Sequence, residues 1–168
     1  MAVNLCNGLA RSGVETHFCA SRSEGAMKDG LEEAVHYFFL GRRSLLDLRA
    51  MIRFVRYVRK SRIEIIHAHS SSFFLAVLVR PFVGAKIVWH DHFGGRRSAG
   101  RLMNMVLTLA SPSFSWVLVV NREIKEWAHT RLFVRPERIT YLPNFPAQNE
   151  PTSAVYEFPG ARDSRIMC

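Results

Sequence analysis

The stretch Ile63-Glu64-Ile65-Ile66-His67-Ala68-His69-Ser70-Ser71 decides the fold. Ile63 to Ala68 is a short, nearly all-apolar run, the pattern of a parallel strand covered on both faces. Ser70, Ser71 and Ser72 then offer N-caps to a helix through Val79, which Pro81 and Gly84 bring to an end. About twenty residues after the first histidines the motif repeats. Lys86 to Trp89 is a second apolar strand, and it runs into His90-Asp91-His92-Phe93-Gly94-Gly95. Strand, helix, strand with both strands ending in histidine implies a parallel crossover unit.

The rest of the chain extends the alternation in both directions. Met1 to Arg11 reads as a helix stopped by Ser12-Gly13, and Val14 to Cys19 as a strand. Ser21 to Glu33 is a polar loop with room for one short helical turn. Val35 to Leu40 is another strand, closed by Gly41. Ser44 to Ser61 is the clearest helix. Leu45, Leu48, Met51, Ile52, Val55 and Val58 recur at steps of three and four, and this face is expected to meet the core. Arg49, Arg53, Arg56 and Lys60 occupy another face. After the second histidine strand come a helix from about Ser98 to Leu109, a strand Trp116 to Val120, a helix Arg122 to Phe133 and a strand Ile139 to Leu142. Residues 146 to 165 turn polar and contain Pro151, Pro159 and Gly160, as a linker does. Ile166-Met167-Cys168 opens a further strand. The fold class expected is α/β: a Rossmann-like parallel sheet with helices on both faces.

Bulk composition fits one globular domain of 168 residues, 48% hydrophobic and 22% charged. No apolar run approaches the length of a membrane span, and no signal peptide is visible at the start. Cys6, Cys19 and Cys168 lack CxxC spacing and read as reduced thiols. The net charge is +9; four of the 23 basic residues are lysines, so 19 are arginines, whose planar fork suits phosphates. The basic helix Arg42 to Arg62 lacks the interleaved aromatics or paired helices of a nucleic-acid reader, so no nucleic acid is expected. A solvated face or contact with anionic lipid headgroups remain for it. With its apolar face in the core, only charge would be left for lipid.

Ligands of open parallel sheets bind beyond the carboxyl ends of the strands, which singles out His69, Ser70, His90, Asp91 and His92. An imidazole beside a carboxylate suits general-base work or a sugar hydroxyl. The bland alternatives are that His67 lies buried under a helix, that His69 organises a loop and that Asp91 caps a turn. His-Asp-His also suggests a metal, but neighbouring strand residues project oppositely and no further ligand set follows at the right spacing, so none is expected. GxGxxG, P-loop and nucleophile-elbow motifs are absent from the sequence, which leaves redox and phosphoryl-transfer chemistry without support.

Three stretches taken together resemble the N-terminal domain of the retaining glycosyltransferases of the GT-B fold, family 4. They are Asn4 to His17, the paired segments Ile65 to Ser70 and Ile87 to His92, and Val117 to Glu123 with Pro136 to Asn144. The resemblance covers residues 1 to about 145, and residues 146–168 are then an interdomain linker and the first strand of a second domain. It implies an active site between two Rossmann-like halves, of which this one meets the acceptor. His92 matches the histidine that the family places close to the donor sugar, with Asp91 beside it as the second catalytic residue. His69, His90, Ser70, Asn121 and Asn144 are the implied substrate-binding residues. Asn121 stands where the family often has serine, and Asn144-Phe145 replaces a common Asn-Gly.

The resemblance further implies transfer of a sugar from a nucleotide-diphosphate donor to a sugar or lipid-linked acceptor, without a metal or other cofactor. The setting would be polysaccharide or glycolipid synthesis in the cytoplasm, with peripheral contact at the inner face of the cell membrane. The family's first strand, with its glycine-rich loop, would precede Met1, and the donor-binding domain would follow Cys168. The chain is therefore expected to be a fragment, inactive alone, with strand edges left unpaired where the first strand is missing. The competing reading is a non-enzymatic Rossmann-like binding module that uses the basic helix as its interaction surface.

Overall fold

A computed structural model describes residues 1–92, 100–143 and 164–168, with the backbone alone for Ala26 and Met27. The architecture is α/β, a seven-strand parallel sheet with helices in the connections, as expected. Two compact units make it up: Met1–Ile65 with Phe145–Cys168, and Ile66–Asn144. The Gly94-Gly95 loop and residues 146–163 of the linker expected over 146–165 lie outside the described residues.

The first unit opens with helix α1 (Ala2–Arg11), strand β1 (Thr16–Ala20) and strand β2 (Val35–Phe39), with a 3-10 turn at Ala26–Gly30 between the strands. β1 and β2 pair in parallel, Thr16 opposite Val35 and Phe18 opposite Tyr37. Side chains alternate across a strand, so Phe18 and Val35 share one face, where they pack with Cys6 of α1. His17 and Phe38 point to the other face. There they meet Tyr57 of helix α2 (Leu48–Lys60), which stacks on Phe38 with ring centroids 4.1 Å apart. Helices thus cover both faces of this sheet.

α2 begins at Leu48 because Asp47 caps it, its carboxylate accepting from Ala50 N at 3.0 Å and Arg43 N at 3.1 Å. Its buried face is Ala50, Phe54 and Val58. This corrects the expected core face: Leu48 is 68% and Ile52 51% exposed, and Leu45 is exposed as well. The helix is apolar on more than one arc, and the bulky Phe54 stem with the small Ala50 fits against the sheet. Leu48 and Ile52, one turn apart, are left outward beside Arg49 and Arg56. Arg53 is not a free member of the charged face, since it donates to the carbonyls of Phe39 and Leu40 at 3.1 Å each.

The chain's end closes the first unit. A two-residue strand, Ile166–Met167, pairs in parallel with Thr16 and His17 of β1. The carbonyl of Arg165 accepts from Glu64 N and Ile65 N at 2.9 and 3.2 Å. The β1 edge that was expected to be bare is therefore hydrogen-bonded, by residues about 150 positions away in sequence.

The second unit runs strand β3 (Ile65–His69), helix α3 (Phe73–Val79), strand β4 (Lys86–Asp91), helix α4 (Arg101–Ala110), strand β5 (Phe114–Val119), helix α5 (Arg122–Arg131) and strand β6 (Ile139–Tyr141), so the chain-end strand Ile166–Met167 is β7. The strands lie side by side in the order β3-β4-β5-β6. Its core includes an aromatic cluster in which Trp89 stacks on Phe114 at 5.4 Å and Phe73 of α3 stands edge-on to both. Among the described residues, no helix is long and apolar enough to cross a membrane. The three cysteines are free thiols, Cys6 buried and the other two half-buried.

A four-histidine cluster as candidate functional site

The carboxyl ends of β3 and β4 carry four histidines whose rings touch. Spacing by two residues puts His67 and His69 on one face of β3, and His90 and His92 on the same face at the end of β4. His67 and His69 stack with centroids 4.6 Å apart, His90 and His92 lie at 4.0 Å, and His69 and His92 at 5.1 Å. Two hydrogen bonds cross between the strands. His67 Nε2 meets His90 Nδ1 at 3.1 Å, and His69 Nδ1 meets His92 Nε2 at 2.8 Å.

The backbone that delivers this cluster is strained at one point. Ser70, directly after His69, has a left-handed φ of 45°, rare for a residue with a Cβ. Its carbonyl accepts from the indole Nε1 of Trp89 at 3.1 Å, so the core tryptophan pins the turn that sets His69. Strain held by packing is a recurring feature of binding sites.

Electrostatically, three of the four rings, those of His67, His69 and His90, are held neutral. Burial, reinforced by the neighbouring histidines, pushes His69 and His90 down to about 3 and His67 well below the ordinary histidine range. Two ring nitrogens, Nε2 of His69 and Nε2 of His90, are buried with no hydrogen-bond partner among the described residues. A site of neutral, unpaired imidazole nitrogens can accept from a hydroxyl or ligate a cation. It is a poor proton donor at neutral pH.

The remaining residues singled out from sequence fall as follows. Asp91 is fully buried, and alternation along β4 carries it to the face opposite His90. Asn121 caps α5, its side-chain oxygen accepting from Ile124 N at 2.7 Å, at the carboxyl end of β5. Asn144 lies outside the described residues. His67, which sequence reasoning set aside as a buried structural residue, is buried and also bonded into the cluster. Its spacing from His69 was the available signal.

The first unit offers two further groups. Just after β2, Arg42 is 6% exposed, and its Nε and Nη1 have no partner among the described residues. Burial and then the charge of Arg22 hold this guanidinium below its ordinary value. An open, buried guanidinium fork is suited to an anion such as phosphate. Nothing in the local sequence Gly41-Arg42-Arg43 distinguishes it from its exposed neighbour. Separately, Glu15, His17 and His36 bring three ligand-type atoms together. There, however, His17 is satisfied on both nitrogens, by Tyr57 Oη at 2.8 Å and Glu15 Oε1 at 3.3 Å.

The chain has no match among curated proteins. The model of Glycosyltransferase Family 4 matches residues 1–145, which takes in every described element except β7. With a parallel α/β architecture and paired histidines at the carboxyl ends of β3 and β4, this chain belongs to glycosyltransferase family 4.

Proposed function

We propose that the chain is the acceptor-side half of an enzyme that moves a sugar from a nucleotide-diphosphate donor to an acceptor hydroxyl, in polysaccharide or glycolipid synthesis. The observation that carries this reading is the family match over 1–145, together with a ligand-ready histidine cluster at the strand ends. In this reading His92 receives a sugar hydroxyl, and the 2.8 Å bond from His69 orients its ring. His90 lines the same pocket and is itself positioned by His67. Ser70, Asn121 and Asn144 supply polar groups around the acceptor, and Asp91 sets the local field from within the sheet. The transfer itself needs no metal.

The donor's diphosphate is assigned to a second half, as in the two-domain arrangement that the family resemblance implies. The chain alone is then inactive. Calorimetric titration of the 168-residue chain with nucleotide diphosphates tests this division. Heats too weak to fit are expected, whereas micromolar binding or measurable transfer by the chain would overturn it.

The same reading places the protein in the cytoplasm, touching the inner face of the membrane through α2. The exposed Leu48 and Ile52 change the form of that contact. Arginines supply a salt-sensitive attraction, screened beyond about 10 Å at 0.1 M salt. The leucine and isoleucine add an apolar component that salt does not remove. Binding to anionic vesicles should therefore drop with salt and level off above zero, and Leu48→Ser/Ile52→Ser should abolish the residue. A wild-type signal that salt removes entirely would return the contact to charge alone.

A further inference from the structure

We propose that His69, His90 and His92 form a binding site for one divalent transition-metal ion, with a coordination position left open. One ring nitrogen from each of the three lies within 4.8 Å of the others. Three nitrogens around a tetrahedral zinc, each about 2.0–2.1 Å from it, stand about 3.3 Å apart. Small ring rotations close that gap.

Three features separate this cluster from an ordinary packing of histidines. The first is the pair of buried, unpartnered nitrogens, His69 Nε2 and His90 Nε2; His90 itself is fully buried. A metal supplies the missing partner for both. The second is His67. Its Nε2 lies 3.1 Å from His90 Nδ1; in the tautomer with the proton on His90 Nδ1, His67 accepts it and the lone pair is left on Nε2. An outer group that fixes the tautomer of a ligating imidazole is a regular part of metal sites. The third is access, because His69 and His92 are both partly exposed while His90 forms the floor. Metals bind imidazole in its neutral form, which is the form burial imposes on His69 and His90.

All-imidazole ligation selects zinc, nickel, copper or cobalt over magnesium and calcium, which prefer oxygen. A bound ion takes up lone pairs that a sugar hydroxyl would otherwise meet, so metal and sugar exclude one another. The inference does not depend on the transferase reading, because binding is measured on the chain itself.

The test is competition between the metal-stripped 168-residue chain and a fluorescent zinc chelator, with Zn²⁺ alone as the probe. One equivalent is expected to bind, unaffected by excess Mg²⁺. His69→Gln and His92→Gln, chosen because these residues are partly exposed, should each weaken binding by 10-fold or more. His67→Gln should weaken it about 10- to 100-fold through His90. His36→Gln, which removes a ligand from the Glu15–His17–His36 group, should leave it unchanged. Circular dichroism confirms that each variant is folded. Cobalt substitution gives a second readout, a visible absorption band of tetrahedral type that the His69 and His92 variants lose. Absence of stoichiometric zinc binding would overturn the proposal. So would binding that survives in the His69 and His92 variants but disappears in His36→Gln.

Discussion

Both units carry strand histidines in contact with other rings, and they satisfy them in opposite ways. In the first unit, His17 gives one nitrogen to Tyr57 and the other to Glu15, and Glu15 is in turn held by Arg165 at 2.8 Å. Each group meets a complementary one, and the cluster ties β1, α2 and the chain's end together. In the second unit the histidines have mainly one another. They hold each other in place across β3 and β4, yet leave two ring nitrogens unpaired. The same residue type is an internal rivet in one place and an unsatisfied acceptor in the other. What decides is the partner set: complementary groups in the first unit, identical rings in the second.

The comparison breaks most visibly if the support beneath the second cluster is removed. Trp89 is 1% exposed, packs on Phe114 and Phe73 and holds the carbonyl of Ser70. Trp89→Ala should cost about 3–5 kcal/mol in chemical denaturation, as large-to-small aromatic changes in cores do. A loss below about 1 kcal/mol would mean that the aromatic cluster does not carry the second unit.

Acid probes the second cluster next. His67, His69 and His90 have folded-state values below their ordinary 6.5, so the unfolded chain takes up protons first. Their contribution to stability is complete above pH 6.5 and is lost progressively as pH falls toward about 3. With a chelator present, the melting temperature should fall steadily from pH 7 to pH 4. In His69→Gln the slope should be shallower. A flat profile would show that the buried rings are not held neutral.

Much of this arrangement was legible in the sequence, and the exceptions have physical causes. Short apolar runs ending in histidine located β3 and β4, and with them the site, because parallel strands are buried on both faces. The face of α2 was misread. Leu48 and Ile52 score as core by hydropathy, but the sheet receives Ala50, Phe54 and Val58. On a helix that is apolar over two arcs, shape chooses between them, and shape is not in the pattern. His67 was read as inert because a buried histidine has no visible partner until the register of β3 against β4 brings His90 within 3.1 Å. The pairing of Ile166–Met167 with Thr16 and His17 leaves no local trace, since two-residue strands carry no periodicity.

A smaller effect sharpens the first cluster. Replacing His17 with Phe removes the bonds to half-buried Tyr57 and exposed Glu15, and should cost about 0.5–1.5 kcal/mol, the net worth of an ordinary hydrogen bond. Equal stability to wild type would show that His17 is not a rivet. The smallest effect expected is at the end of α2, where Arg62 adopts a left-handed φ of 51°. Arg62→Gly should raise stability by a few tenths to about 1 kcal/mol, since glycine adopts that conformation freely. A loss would mean that the arginine side chain outweighs the backbone strain.

The central claim is that the second cluster serves chemistry while the first serves structure. It is tested most directly in the proposed two-domain enzyme, by measuring sugar transfer and thermal unfolding together for His92→Gln and His17→Gln. The expected pattern is crossed. His92→Gln lowers turnover by about 100-fold or more while its melting temperature stays near wild type. His17→Gln melts lower but retains its turnover at temperatures where it is folded. Unchanged turnover in His92→Gln, with the loss appearing in His17→Gln instead, would contradict the account.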